Sequence, residues 1–482
     1  MSAAEKRVEL GNMSSYAAKA FYYFSHLRGI FGLYANVRIL EFMRLGVAAT
    51  TLLFAPPLVA QDTSTAAPDE TETPVETPPQ FTPSLGEPGV QPAPGEGTIR
   101  AGSGLVAPAF ILGRQLRLST SLAAGYNDNV NLVPNGSPSW FANPSAVFSY
   151  QFGSPRIAID LITVAGITYY FEHPGGRNYD PNIYLRLFLV YRASERLSFD
   201  LSAFAAYQAE PDVTSALSPN RRLGNFFRSH DEISAHYRWT PRFSTTTSYT
   251  FSAIAYDNSA ASSGDRLENQ LGEEARYLLF PTTTATAGYR IGVTDYLNTG
   301  HNHLNQILFA GLDQTFGPHL NGIFRGGLQL RSEQTSPYIE AGLHYSFESG
   351  RTRSVEGTYV VWTNRYSIEE SGTGAGSGRE TFRTNLLLNY RVTERISANV
   401  AVSYQHATGA QGSEIGFNGG VAGGADNVFE VSSGVRYAIS PSLAANAGYS
   451  YIERDRGSTS ANASQLLSYT RNRYFAGLTY TF

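Results

Sequence analysis

A metal site is the first chemistry that the side chains suggest. His230, Glu232 and His236 have the same parity, so an extended chain would place all three on one side. Imidazole and carboxylate groups are ordinary zinc ligands, and His301 and His303 form a second pair of this kind. No further ligand is identifiable beside either group, and the chain has no Cys. The sequence therefore predicts neither a metal site nor another cofactor.

Nucleophilic catalysis has one candidate pair, Ser403 and His406. Such a pair must lie within hydrogen-bond reach and be oriented by a third polar group. The two residues have opposite parity in a segment that alternates like a strand, so their side chains should point to opposite faces. No P-loop or dinucleotide fingerprint appears, and both Lys residues lie before position 20. We therefore expect a protein that is not an enzyme and does not bind nucleic acid.

Arginine supplies the remaining chemistry, because no Lys occurs after Met43 and Arg is the permanently charged basic residue there. Within alternating segments these arginines lie on one face of the strand, and Leu, Phe and Tyr lie on the other face. Guanidinium groups that line an aqueous passage favour anions. The alternative is that these arginines pair with inward acids such as Glu356 and line a hydrated wall without selectivity. The candidates for lining an interior are Arg117, Arg186, Arg228, Arg238, Arg383, Arg391, Arg436, Arg471 and Arg473.

The elements that must position these side chains are long β-strands. In "LRLSTSLAAGY" (116–126) and "ISANVAVSYQ" (396–405), apolar residues occupy every second position, which is the period of a strand with one apolar face. The alternating segments run for about 12 to 16 residues, longer than the 5 or 6 typical of soluble sheets. We count 18 of them, with an uncertainty of two, including 338–348 and 352–368.

The connections between these segments alternate in length. Short ones such as "SER" (194–196), "TPR" (240–242) and "SGR" (349–351) alternate with long ones such as 210–224 and 407–425. Short turns at one end and long loops at the other are typical of transmembrane β-barrels. Residues 115–482 are therefore predicted to form an all-β, closed antiparallel transmembrane β-barrel of about 18 strands. In such a barrel the first and last strands pair, because a membrane does not tolerate an open sheet edge.

The last strand carries a family resemblance. It ends "RNRYFAGLTYTF", with aromatic or apolar residues at alternate positions up to Tyr480 and Phe482. This pattern resembles the C-terminal signal of bacterial outer-membrane barrels, which implies insertion by the barrel assembly machinery. Together with "SLAAGYNDNVNL" (121–132) and an acidic leader, the chain resembles the β-barrel porin 2 family. That resemblance implies contact with outer-membrane lipid, and a homotrimer is the assembly known from many porins.

The front of the chain reads as a targeting region. Residues 43–60 combine a basic start, an apolar stretch and small residues before a cleavage site, which predicts a secretory signal peptide. Residues 1–42 are then an upstream extension outside the mature protein; an unusually long leader is the alternative. Residues 61–114, rich in Pro and acidic residues, are predicted to be a disordered periplasmic linker.

These observations predict a porin-like channel in the outer membrane of a Gram-negative-type bacterium. It would pass small hydrophilic solutes, with a preference for anions if the arginines are not neutralised. In many porins the third outer loop narrows the channel, so Arg221 and Arg222 are the candidates for a constriction. The alternative function is a non-enzymatic barrel for surface polysaccharide export or assembly, closed by its loops until a partner engages.

Overall fold

Eighteen antiparallel strands form one closed sheet in the computed structural model. The structure describes residues 113–172, 178–210, 224–258, 264–298, 300, 302–332, 334–347, 358–370, 378–409, 425–456 and 468–482. The predicted extension 1–42, the signal peptide 43–60 and the linker up to residue 112 lie outside these residues. Among the residues that the structure describes, no helix has the length and apolar character needed to cross a membrane.

Each strand has 12 to 15 residues, as its alternating pattern predicts. The strands are β1 Gly113–Asn127, β2 Ser139–Gly153, β3 Ile157–Tyr170, β4 Tyr179–Arg192, β5 Leu197–Gln208, β6 Phe226–Arg238, β7 Phe243–Tyr256, β8 Arg266–Phe280, β9 Thr283–Tyr296, β10 Asn302–Thr315, β11 Leu320–Arg331, β12 Gln334–Ser346, β13 Tyr359–Glu370, β14 Gly378–Arg391, β15 Ile396–Gly409, β16 Ala425–Ala438, β17 Leu443–Arg456 and β18 Tyr469–Thr481.

The sheet closes because β1 pairs with β18. Their register runs from Ser119 opposite Thr481 to Asn127 opposite Arg473. The main-chain N–H of Phe482 extends this seam by donating to the carbonyl of Leu118 at 2.9 Å. Every other strand pairs with its neighbours in sequence. The prediction of a closed antiparallel barrel of about 18 strands is therefore confirmed.

The two ends of the barrel differ in their connections. At the end that we call the turn end, hydroxyl groups accept main-chain N–H bonds two or three residues ahead, which stabilises short turns. Thr240 accepts from Phe243 at 3.0 Å, and Ser154, Ser194, Thr393 and Ser440 make the equivalent bond in their turns. The opposite end, which carries most of the long connections, is the loop end.

Two connections do not follow the predicted alternation of short turns and long loops. The short turn predicted at 349–351 is too short, because β12 ends at Ser346 and β13 begins at Tyr359; residues 348–357 between them lie outside the described residues. The connection between β11 and β12 spans only 332–333, although it lies at the loop end. Ser332 has a left-handed backbone with φ of 46°, which lets the chain reverse in two residues. Short connections therefore lie at the turn end and long connections at the loop end in most hairpins, but not in these two.

Candidate functional site

The barrel interior is the candidate site, because the two faces of the wall differ in chemistry. Outward positions carry exposed apolar side chains; Leu122, for example, is 61% exposed. Inward positions carry Arg, Asp, Glu, Asn, Ser and Thr together with a smaller number of apolar groups. An apolar outer face and a polar inner face are what a barrel in lipid requires.

The arginines predicted to line the interior take three kinds of position. Near the turn end, Arg117 and Arg391 are exposed, and Arg238 donates to the carbonyl of Glu195 at 2.8 Å. Arg186 and Arg436 are half-buried at inward positions. Those that are buried lie nearer the loop end: Arg228, Arg383, Arg471 and Arg473.

Ion pairs compensate most of the buried arginines. Asp426, fully buried, accepts from Arg379 at 3.2 Å and from Arg454 at 2.7 Å. Arg383 pairs with Glu369 at 2.9 Å, and Arg331 pairs with Glu370 at 2.7 Å. Carboxylate pairing removes much of the field that a ring of guanidinium groups would otherwise create.

A second group of charges is shared among three strands. Asp313 on β10 contacts Arg276 on β8 and Arg325 on β11, the latter at 3.3 Å. Glu274 accepts from the same two guanidinium groups at 3.2 and 3.4 Å. Such a network satisfies several buried charges at once and holds these strands' side chains against the wall.

The connection between β1 and β2, residues 128–138, folds into the loop end; we call it loop L1. Both carboxylate oxygens of Asp128 accept bonds from Asn472 on β18 at 2.7 Å. The Asn129 side chain donates to the carbonyl of Thr470 at 2.9 Å and to that of Val133 at 2.7 Å. The "GYNDNV" stretch therefore ties L1 to the last strand.

An apolar side chain of L1 completes this contact inside the barrel. Leu132, only 5% exposed, packs with Val428, Ile452 and Tyr469 from the inward faces of β16, β17 and β18. Its φ of 54° lies in the left-handed region, which is costly for leucine and is sustained here by the surrounding contacts. Nearby, Val130 packs with Phe141 and Tyr170.

Glu210 reaches across the interior at the start of the connection between β5 and β6, residues 209–225, which we call loop L3. Its carboxylate contacts the guanidinium groups of Arg471 and Arg473 on β18, the latter at 2.5 Å. Arg473 is fully buried and stacks over the Phe141 ring at 4.4 Å. Burial alone would raise the pKa of Glu210, but the two guanidinium groups outweigh it and lower the pKa to about 2.

Burial of inward side chains therefore changes along the barrel. Near the turn end, inward groups such as Arg117, Arg391 and Asp200 are exposed or half-buried. Near the loop end, Phe226, Tyr296 and Asp426 are fully buried. The described interior thus opens toward the turn end and is packed toward the loop end.

The histidines that suggested a metal site make hydrogen bonds within the wall. His236 contacts Asp200 and Thr246, each at 2.8 Å, and His230 contacts Ser252 at 2.8 Å. The described residues contain no group of three or more side chains that could hold a metal ion. His301 lies outside the described residues.

Sequence reasoning missed several inward charges. The strand predicted over 352–368 placed Glu356 inward, which would have turned Arg365 outward; in β13, Arg365 faces inward beside Glu340 and Arg383. Arg379 was missed because the alternating pattern predicts a strand over 381–392, whereas β14 begins at Gly378. Arg266 shares the parity of Glu268 and could have been found from that signal. Glu356, Arg221 and Arg222 lie outside the described residues.

Among the known proteins compared with this chain, only solved structures show a similarity to it. No family model matches the chain, so the resemblance to the β-barrel porin 2 family is not confirmed, and no curated protein matches. OpdK of Pseudomonas aeruginosa, solved with vanillate, is 13% identical and covers 76% of this chain and 99% of its own, with a TM-score of 0.40.

Two proteins of Acinetobacter baumannii give similar values. The siderophore receptor PirA is 9% identical over 81% of this chain and 84% of its own, with a TM-score of 0.39. OccAB4 is 14% identical over 76% of this chain and 98% of its own, with a TM-score of 0.36. At these identities and scores, none of the three indicates what this chain binds or transports.

Proposed function

We propose that this protein is a non-enzymatic channel of a bacterial outer membrane that passes small hydrophilic solutes by diffusion. The observation that carries the proposal is the closed 18-stranded barrel with a polar, charged inner face and an apolar outer face. Barrels of 16 to 18 strands are wide enough for an aqueous passage, whereas barrels of about 8 are filled by side chains. The turn end faces the periplasm and the loop end faces the outside.

Solute preference follows from the balance of charges. Ion pairs neutralise much of the buried wall, while Arg117 and Arg391 are exposed at the turn end. We expect a mild preference for anions that is set at the periplasmic mouth. Arg221 and Arg222 would add to it if their part of L3 borders the passage, as a constriction requires.

Planar-bilayer recording of the purified protein tests this function. A channel gives stepwise conductance, and a salt gradient gives a reversal potential of the sign expected for anions. Absence of conductance steps would reject the channel, whereas a cation-selective reversal potential would reject only the anion preference. Liposome swelling with neutral sugars would confirm passage independently of charge.

A second candidate function is a component of surface polysaccharide export or assembly, closed until a partner engages. The packing of Leu132 into the interior and the contact of Glu210 with β18 favour it, because both narrow the loop end. A barrel closed in isolation would fail the swelling assay. Swelling that appears only after L1 is released would favour this second function over a constitutive channel.

Biogenesis and assembly are further proposals. Tyr480 and Phe482 would serve as the signal that the barrel assembly machinery reads, and residues 43–60 would direct secretion. Both aromatic side chains are exposed on the outer face, where a receptor can reach them. A homotrimer is tested by the mass of the protein extracted in mild detergent.

A further inference from the structure

Two carboxylates face outward from the middle of the wall. Glu273 lies seven residues from each end of β8, and Asp231 is the sixth of the thirteen residues of β6. Their outward direction follows from their neighbours of the same parity, because Leu271 is 53% and Ile233 is 45% exposed. Arg276, of opposite parity to Glu273, belongs to the interior network.

This position is unusual within the described strands. Other outward carboxylates, such as Glu380, Glu453 and Asp295, lie within three residues of the loop end of their strands, where water is available. Carboxylates at mid-strand depth would instead face hydrocarbon, where a charge is costly without a partner. We call the outward surface around them, made by β5 to β9, the acidic face.

Local hydrogen bonds orient these carboxylates without neutralising them. The Thr247 hydroxyl donates to Glu273 at 2.5 Å, and the main-chain N–H of Phe204 donates to Asp231 at 3.3 Å. Both donors are uncharged, so each carboxylate lacks a cation among its described contacts. Ala203 stands opposite Asp231 on β5, whereas Phe251 stands opposite Asp231 on β7 and Tyr289 stands opposite Glu273 on β9, so a partner would pack on small and aromatic side chains.

The chain does not offer a matching cation at mid-strand depth on another outer surface. Within the described strands, only Arg114 has the outward parity among the Arg residues, and it is the second residue of β1, at the turn end; Lys is absent after residue 19. At the depth of Asp231 and Glu273, a second copy packed against the acidic face would therefore bring apolar groups or further carboxylates. Charge complementarity requires an occupant of different composition.

We infer that the acidic face binds a membrane-embedded segment of a different protein, one that presents basic side chains to Asp231 and Glu273. Asp231 is level with Asn269 on β8, four residues from Glu273, and the two strands are separated by β7. Strand geometry therefore puts the carboxylates roughly 16 Å apart. The partner's Lys or Arg residues would have a similar separation, with small or apolar residues between them to pack on Tyr249 and Leu271.

Photocrosslinking of the full chain in its native outer membrane tests this inference. A photoreactive residue replaces Tyr249, between the two carboxylates, or Leu386 on the outward face of β14 as a control. The adducts are sequenced by mass spectrometry. We expect the Tyr249 probe to give an adduct with another protein whose crosslinked peptide contains Lys or Arg, and the Leu386 probe to give none.

Charge removal decides whether the carboxylates are responsible. The pair Asp231→Asn and Glu273→Gln should reduce the adduct at least tenfold while the barrel keeps its folded electrophoretic mobility. Glu453→Gln, which removes an outward carboxylate at the loop end, should leave the adduct unchanged. Adducts with lipid alone, adducts with a second copy, or a partner adduct insensitive to the double substitution would each overturn the inference.

Discussion

Replacing Glu210 with Gln is the most informative single change, because this residue connects L3 to β18, five strands around the wall from β5. The carboxylate compensates two buried guanidinium groups, those of Arg471 and Arg473. Lowering its pKa from 4.5 to about 2 corresponds to about 3 kcal/mol in favour of the ionised, attached state. E210Q should therefore increase the population of detached L3 by up to roughly a hundredfold.

Two measurements follow in planar bilayers. Detachment widens the loop end, so we expect a larger mean conductance for E210Q than for the wild type. It also leaves two arginines without their carboxylate, so the reversal potential should shift toward stronger anion preference. Glu453→Gln, an exposed change at the loop end on the outward face of β17, is the matched control and should alter neither quantity.

The pH dependence of this contact has a definite sign. The pKa of Glu210 is lower in the attached state than its ordinary value, so the stabilisation is complete above about pH 4.5 and is lost as the pH falls toward 2. Wild-type conductance should be the same at pH 7 and pH 5 and should approach that of E210Q in stronger acid. Equal conductance and reversal potential of the two proteins at pH 7 would refute the role assigned to Glu210.

Three further changes test L1, the terminal strand and the seam. Leu132→Ala should weaken the docking of L1 by about 3 kcal/mol and speed liposome swelling, whereas Val133→Ala, at an exposed position, should not; equal rates would argue against L1 as a barrier. Phe482→Ala should lower the amount of barrel inserted in cells but not refolding in detergent micelles, since its main-chain bond to β1 remains; unchanged insertion would remove its role as a signal. Gly125→Ala places a methyl group 2.0 Å from a β18 carbonyl oxygen and should lower the midpoint of urea unfolding, while Gly317→Ala meets nothing within 4 Å; equal midpoints would show that the seam adapts.

The barrel could be predicted from sequence because lipid and water impose opposite demands on alternate residues. In β1, for example, Leu116 to Tyr126 repeat an apolar outward residue at nearly every second position, and the structure keeps that parity. The failure at β13 shows the limit of the method. The predicted strand 352–368 begins seven residues before β13 and has its even-numbered residues inward, whereas β13 has its odd-numbered residues inward. Because a shift of one residue moves every side chain to the other surface, the prediction exchanged the two faces of this strand.

The charge pairs of the interior could be predicted only in part. Arg471 and Arg473 were identified from their parity in the last strand, but their partner Glu210 lies more than 260 positions away. No local pattern marks Glu210, since its contact with β18 exists only after β1 pairs with β18 and closes the sheet. The histidines illustrate the reverse case, since the shared side of His230 and His236 was clear from sequence and their hydrogen-bond partners were not.

The seam has a consequence for how the molecule is made. Ser119 and Thr481, whose hydroxyl groups lie 3.0 Å apart, are separated by 362 positions along the chain. Contacts of such high contact order form slowly, so the partly assembled sheet has two unpaired edges until the last strand is added. We expect the nascent chain to depend on chaperones and on a catalyst of insertion that shields those margins until the terminal segment arrives.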